Sequence, residues 1–171
     1  MTKLFICGTS HPLQCGQLTC GEEAVLSFES ELKCICARGN IQFIAEEMTE
    51  EALVKFDATQ TIGSRIAKEL SICHKYVDLN YSQRKEWSID DSSMSFIAMN
   101  VASGERCYSF RESFSDLASD IRERSWVARI LALNAWPALL ICGAEHSQSV
   151  RKIWHSLGLE AKLIHLDFQA K

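Results

Sequence analysis

Two periods of apolar spacing alternate along the chain. Short runs with no internal polar break, or with strict alternation, sit at residues 4–7, 41–45, 138–142 and 161–168, and read as strands. Between them, apolar residues recur at three- and four-residue spacing. Val25, Phe28, Leu32 and Ile35 make one helical stripe, which Gly39-Asn40 stops; Ile62, Ile66, Ala67 and Leu70 make another. Phe114, Leu117 and Ile121, with a neighbouring line of Arg122, Trp126, Ile130 and Leu133, predict a long helix over 113–133. Val150, Ile153, Trp154 and Leu157 predict one more, closed by Gly158. Thr49 is placed to cap a short helix led by Glu50 and Glu51. Between 80 and 111 the pattern weakens, and 94–101 with 106–110 reads as a small hairpin insertion.

Alternation of strand and helix predicts an α/β fold: one domain over 1–171 with a mostly parallel, doubly wound sheet and helices on both faces. The five strands are expected at 3–7, 41–45, 76–79, 138–142 and 162–166, with the first and fourth as neighbours near the middle. The run 138–142 is apolar at both parities, as a central strand covered on both faces should be. In such a sheet the segments that leave the strands converge on one rim, where ligands bind. Gly8-Thr9-Ser10-His11, Glu46-Glu47, Asp78 and Gly143-Ala144-Glu145-His146 all lie there.

Composition narrows the context. At 171 residues the chain can bury an ordinary core without covalent staples, although it carries eight cysteines. None forms a Cys-x-x-Cys pair, and Cys34-x-Cys36 lacks a second half, so reduced thiols in a cytoplasmic protein are expected rather than a zinc finger or a disulfide framework. No apolar run has the length of a membrane span, and the net charge of −4, with both signs interleaved, disfavours a nucleic-acid surface.

On the rim, His11, Glu47 and His146 carry donors that suit a divalent metal, which could activate water. Without a metal, a histidine and a carboxylate could act as acid and base while Arg122 stabilises an anion. Taken singly, each has a structural reading. His11 could cap a turn, His146 could bond a carbonyl in a first helical turn, one of the two acids could be solvated, and Arg122 could pair across the surface. The pairing of Arg122 with carboxylates is expected to lower the proton affinity of Glu47. Glu123, Arg124 and Arg129 read as surface charges, and His74, His155 and His165 have no distinctive context.

Gly8-Thr9-Ser10-His11, Ala45-Glu46-Glu47, Arg122-Glu123-x-x-Trp126 and Gly143-Ala144-Glu145-His146, in that order, resemble the TraB, Tiki, ChaN and erythromycin esterase superfamily. The chain is still more similar to short uncharacterised bacterial members sharing a Trp-Pro-x-Leu-x-x-Cys-Gly-x-x-His element. The resemblance implies a compact α/β fold with the two Gly-x-x-His motifs side by side, and a hydrolytic site made of His11, Glu47, Arg122 and His146. Metal-dependent peptidase or esterase chemistry on a small molecule or peptide is one expectation. The chain lacks the extended middle region of larger members, and a non-catalytic protein, such as a bacterial immunity protein that covers a toxin partner, is the other.

Overall fold

The computed structural model describes residues 2–87, 89 and 106–168. In chain order the elements are β1 (Lys3–Thr9), α1 (His11–Gln14), α2 (Glu22–Gly39), β2 (Phe43–Glu46), α3 (Glu50–Lys55), α4 (Ile62–Leu70), β3 (Cys73–Tyr76), α5 (Tyr81–Glu86), α6 (Arg106–Leu133), β4 (Ala138–Gly143), α7 (Ala144–Ser156) and β5 (Glu160–His165). The five strands form one all-parallel sheet in the order β3-β2-β4-β1-β5. β1 and β4 are neighbours near its middle, so the two glycine turns leave the sheet together, with Gly8 opposite Cys142 and Thr9 opposite Gly143.

Strand parity assigns the faces. Leu4, Ile6, Phe43, Ala45, Ala138, Leu140 and Cys142 point to the side where Trp126 and Ile130 of α6 and Val150 and Trp154 of α7 complete a core. Cys7, Ile44, Leu139 and Ile141 point to the other side, against Phe28, Leu32 and Ile35 of α2 and Ile62 and Ile66 of α4. Every residue of β4 is buried, as its two-sided apolar pattern requires. Gly8 has no room for a side chain: a Cβ there would stand 2.0 Å from the carbonyl oxygen of Leu166.

Local chemistry explains the helix ends. Thr49 accepts from Ala52 N–H and starts α3, Thr61 and Ser64 form a capping box on α4, and Asn40 closes α2 in the left-handed region at φ 47°.

Several boundaries differ from the sequence reading. β2 starts at Phe43 because the Gln42 N–H turns to Pro137 O. The third strand is Cys73–Tyr76 rather than 76–79. β2 ends at Glu46 opposite Tyr76, and after Val77 N–H bonds Glu46 O the ladder has no further partner. Val77 and Leu79 are buried, but in the packing beyond the strand. Residues 106–110 are the first turns of α6 and not a hairpin strand, in keeping with a stretch from 106 to 133 that contains neither glycine nor proline. The other expected hairpin strand, 94–101, lies outside the described residues. Leu70, Leu117 and Leu157, expected on buried helical stripes, are exposed.

Candidate functional site

Glu46 and Glu47 are consecutive at the exit of β2, so the pleat sends them to opposite faces. Neither is solvated: they are 0% and 1% exposed. Glu46 turns towards α4, accepting from Thr61 Oγ1 at 2.6 Å with His74 Nε2 at 3.0 Å. Glu47 turns towards α6 and α7. Its Oε2 accepts from the Gly143 N–H at 2.7 Å, and its Oε1 accepts from Arg122 Nη2 at 2.7 Å.

Both rim histidines converge on Glu47. His11 Nε2 lies 3.9 Å, and His146 Nε2 3.5 Å, from the same oxygen, Oε1. Thus His11, Glu47, Arg122 and His146 come together, and all four line one pocket of about 670 Å³. That volume is in the range of small-ligand sites. Met48, Phe56 and Leu79 supply apolar wall, while Lys55, Glu51, Arg84 and Glu145 supply charge around it.

Two acids hold the site in place: Asp78, expected on the rim but given no role there, and Glu123. Asp78 accepts from Arg122 at both oxygens, 3.1 Å from Nε and 2.9 Å from Nη2, from Trp126 Nε1 at 2.9 Å and from the Leu79 N–H at 2.8 Å. Arg84 pairs with it as well. Burial alone would raise its proton affinity, but Arg122, Arg84 and the Trp126 N–H outweigh that and hold the carboxyl below its ordinary range. Burial would lower the Arg122 pKa, but Asp78 and Glu47 outweigh it and raise it, and its Cζ also lies 5.2 Å from the centroid of the Trp126 ring.

Glu123, expected at the surface, is buried and sits 2.7 Å from His146 Nδ1, with Ser149 Oγ donating to the same oxygen at 2.7 Å. Its position was readable: 123, 126, 127 and 130 share one helical stripe with buried Trp126, Val127 and Ile130. A carboxylate oxygen only accepts, so Nδ1 acts there as an N–H donor, and His146 presents Nε2 to the pocket. Burial pulls the His146 pKa down, but the bond to Glu123 and the charge of Glu47 overcome that and leave it above 6.5. The ring packs edge-on to Trp126, 5.2 Å between centroids. The expectation for Glu47 is reversed. Burial pushes its carboxyl up, and His146, Arg122, His11 and the Gly143 N–H only partly offset this.

Two further residues read as ordinary prove to be engaged. Arg129 donates to Val77 O and Asp78 O, tying α6 to the exit of β3, while His74 belongs to Glu46. Arg124 is exposed and paired with Asp120. Among the described residues no three His, Cys, Asp or Glu side chains are grouped to hold a metal ion, and no helix is long and apolar enough to cross a membrane. No family model, curated protein or solved structure matches this chain.

Proposed function

We propose that the rim pocket is the active site of a hydrolase acting by acid–base chemistry on an ester or amide bond of a small molecule or short peptide. The observation that carries this reading is the His146–Glu123 bond, which fixes one imidazole by its Nδ1 and turns its Nε2 towards Glu47 and the cavity. His146, with its raised pKa, is suited to the acid role: in its charged form it can donate to a leaving group or stabilise a developing oxyanion. His11 is the more accessible of the two, with about a third of its side chain exposed against 8% for His146, and is suited to take a proton from attacking water. Glu47 lies between the imidazoles, and Arg122 anchors it to Asp78.

The donor set argues against a resident divalent metal at His11, Glu47 and His146. Both oxygens of Glu47 are already bonded, one of them by the Arg122 guanidinium, so a dication there would sit beside a fixed cation. The order of motifs, which resembles that of the TraB and erythromycin esterase superfamily, supports a hydrolytic reading. Cys7, Cys15, Cys20, Cys34, Cys36, Cys73 and Cys142 are free thiols, which fits the reducing cytoplasm that we propose as its compartment.

A panel of nitrophenyl esters, lactones and peptide anilides tests the reading. Turnover should persist after dialysis against EDTA, and His146→Gln should lower kcat/KM by about 10²- to 10⁴-fold, the usual weight of a general acid. Equal rates for wild type and His146→Gln would remove the catalytic assignment. A rate lost to EDTA and restored by manganese or zinc would transfer the site to metal chemistry. Saturable binding of a partner protein with no turnover would favour the immunity-type reading.

A further inference from the structure

Behind His11, on the side of the sheet away from the pocket, lies a second set of polar groups. Thr9 Oγ1, His11 Nδ1, both ends of the Gln14 amide and Glu46 Oε2 are buried with no hydrogen-bond partner among the described residues. Thr9, Gln14 and Glu46 are each at most 1% exposed. Native interiors seldom leave such groups unpaired, since each unpaired atom costs of the order of 1–3 kcal/mol, and ordered water is the usual remedy.

These groups gather at one end of the sheet, with the end of β4 between the two strands that carry Thr9 and Glu46. Thr9 ends β1 on the face shared with Cys7, Glu46 ends β2 on the face shared with Ile44, and α1 carries both His11 and Gln14. Gly16, just after α1, packs on Ile62 at the start of α4, the helix towards which Glu46 turns. The Cys15 thiol there is pushed up to about 11, by burial first and then by the charge of Glu46. Gly63 leaves the carboxylate its space, since a Cβ would stand 2.2 Å from Oε1.

We propose that Thr9, Gln14 and Glu46 enclose a hydrated chamber that positions His11: an ordered water, its hydrogens drawn to Glu46 Oε2 and the Gln14 carbonyl, accepts the Nδ1–H. The proposal rests on His11 belonging to the active site described above. Glu46 Oε1 is already engaged by Thr61 and His74, so the free oxygen is a fixed acceptor that sets the direction of the water. With its hydrogens so committed, the water offers only its oxygen to Nδ1. His11 then carries its proton on Nδ1 and leaves the Nε2 lone pair facing the pocket, the form a base acting on water requires. The 3.9 Å from Nε2 to Glu47 Oε1 agrees, being too long for Nε2 to donate directly. Glu46 thus acts on the reaction through His11, as a positioning residue.

Long-range proton–nitrogen spectra of the ¹⁵N-labelled protein, with His11 assigned by its loss in His11→Gln, report the tautomer directly and need no substrate. The neutral His11 ring should be mainly Nδ1–H in the wild type. Glu46→Gln should lower the Nδ1–H to Nε2–H ratio by about tenfold, as for one lost hydrogen bond to a charged group, and Thr9→Val should lower it less. A wild-type ring that is mainly Nε2–H overturns the proposal. So does an unchanged ratio in a folded Glu46→Gln protein. Should Glu46→Gln not fold, the wild-type tautomer and Thr9→Val decide. An Nδ1–H ring without hydrolysis leaves the chamber standing and removes the hydrolase reading, whereas hydrolysis with an Nε2–H ring removes the chamber alone.

Discussion

Asp78 organises the site although it reaches neither imidazole. Its two oxygens gather Arg122, Arg84, the Trp126 indole and the backbone of Leu79, and Arg122 in turn steadies Glu47. Replacing it by Asn keeps the shape and removes the charge, leaving two guanidinium groups partly buried and under-compensated. Asp78→Asn should therefore cost about 3 kcal/mol at neutral pH, the cost of breaking a buried ion pair from one side. The sign with pH follows from the lowered carboxyl: its stabilisation is complete above the ordinary aspartate value near 3.8 and is lost as pH falls through the lower folded value. Denaturant melts of both proteins check this, and the gap between them should close in acid. A gap that stays constant down to that range would mean the charge of Asp78 is not what it contributes.

At this scale the convergence of His11, Glu47 and His146 was readable, because glycine turns and strand exits fix where such residues go, and Arg122 was readable through its helical line with Trp126. Glu123 was legible only through its stripe, and its charged character masked the burial. Asp78 was visible on the rim, but its role was not, since the guanidinium groups and indole that meet it come from 84, 122 and 126.

Among the elements, β2 does most to divide the chemistry. A strand's two-residue period separates Glu46 from Glu47 absolutely, and a register slip of one would exchange them. That register is held by pairing with β3 on one side and β4 on the other. The exit of β1 is tied down just as firmly, since Phe168 N–H bonds Gly8 O at 2.7 Å and Leu166 O stands where a Gly8 side chain would be. Gly8→Ala should cost about 3 kcal/mol or more, at the upper end of overpacking effects, because the obstacle is backbone. A melting temperature within a degree or two of wild type would show that the segment after β5 can yield. The central strands were legible because their apolar runs are continuous. β3 was misplaced by three residues because Val77 and Leu79 are apolar and buried without being in the ladder. In an edge strand whose own residues are exposed or half-buried, the hydrophobic pattern carries little of the signal.

For the molecule as a whole, the parallel order β3-β2-β4-β1-β5 is what turns scattered motifs into one site. β1 and β4 deliver the two histidines, β2 delivers the acid between them, and α6 lays Arg122 and Glu123 across the gap. The most direct test of this account is the pH dependence of kcat/KM for ester hydrolysis in wild type and Glu123→Gln. If His146 acts in its charged form, wild-type activity falls as pH rises through its raised pKa, above 6.5. Glu123→Gln weakens the bond that raises it, so the alkaline limb should move to lower pH by about one unit, equivalent to about 1.4 kcal/mol of interaction. An alkaline limb at the same pH in both proteins, with Glu123→Gln folded, would contradict the central claim that Glu123 holds and charges a catalytic His146.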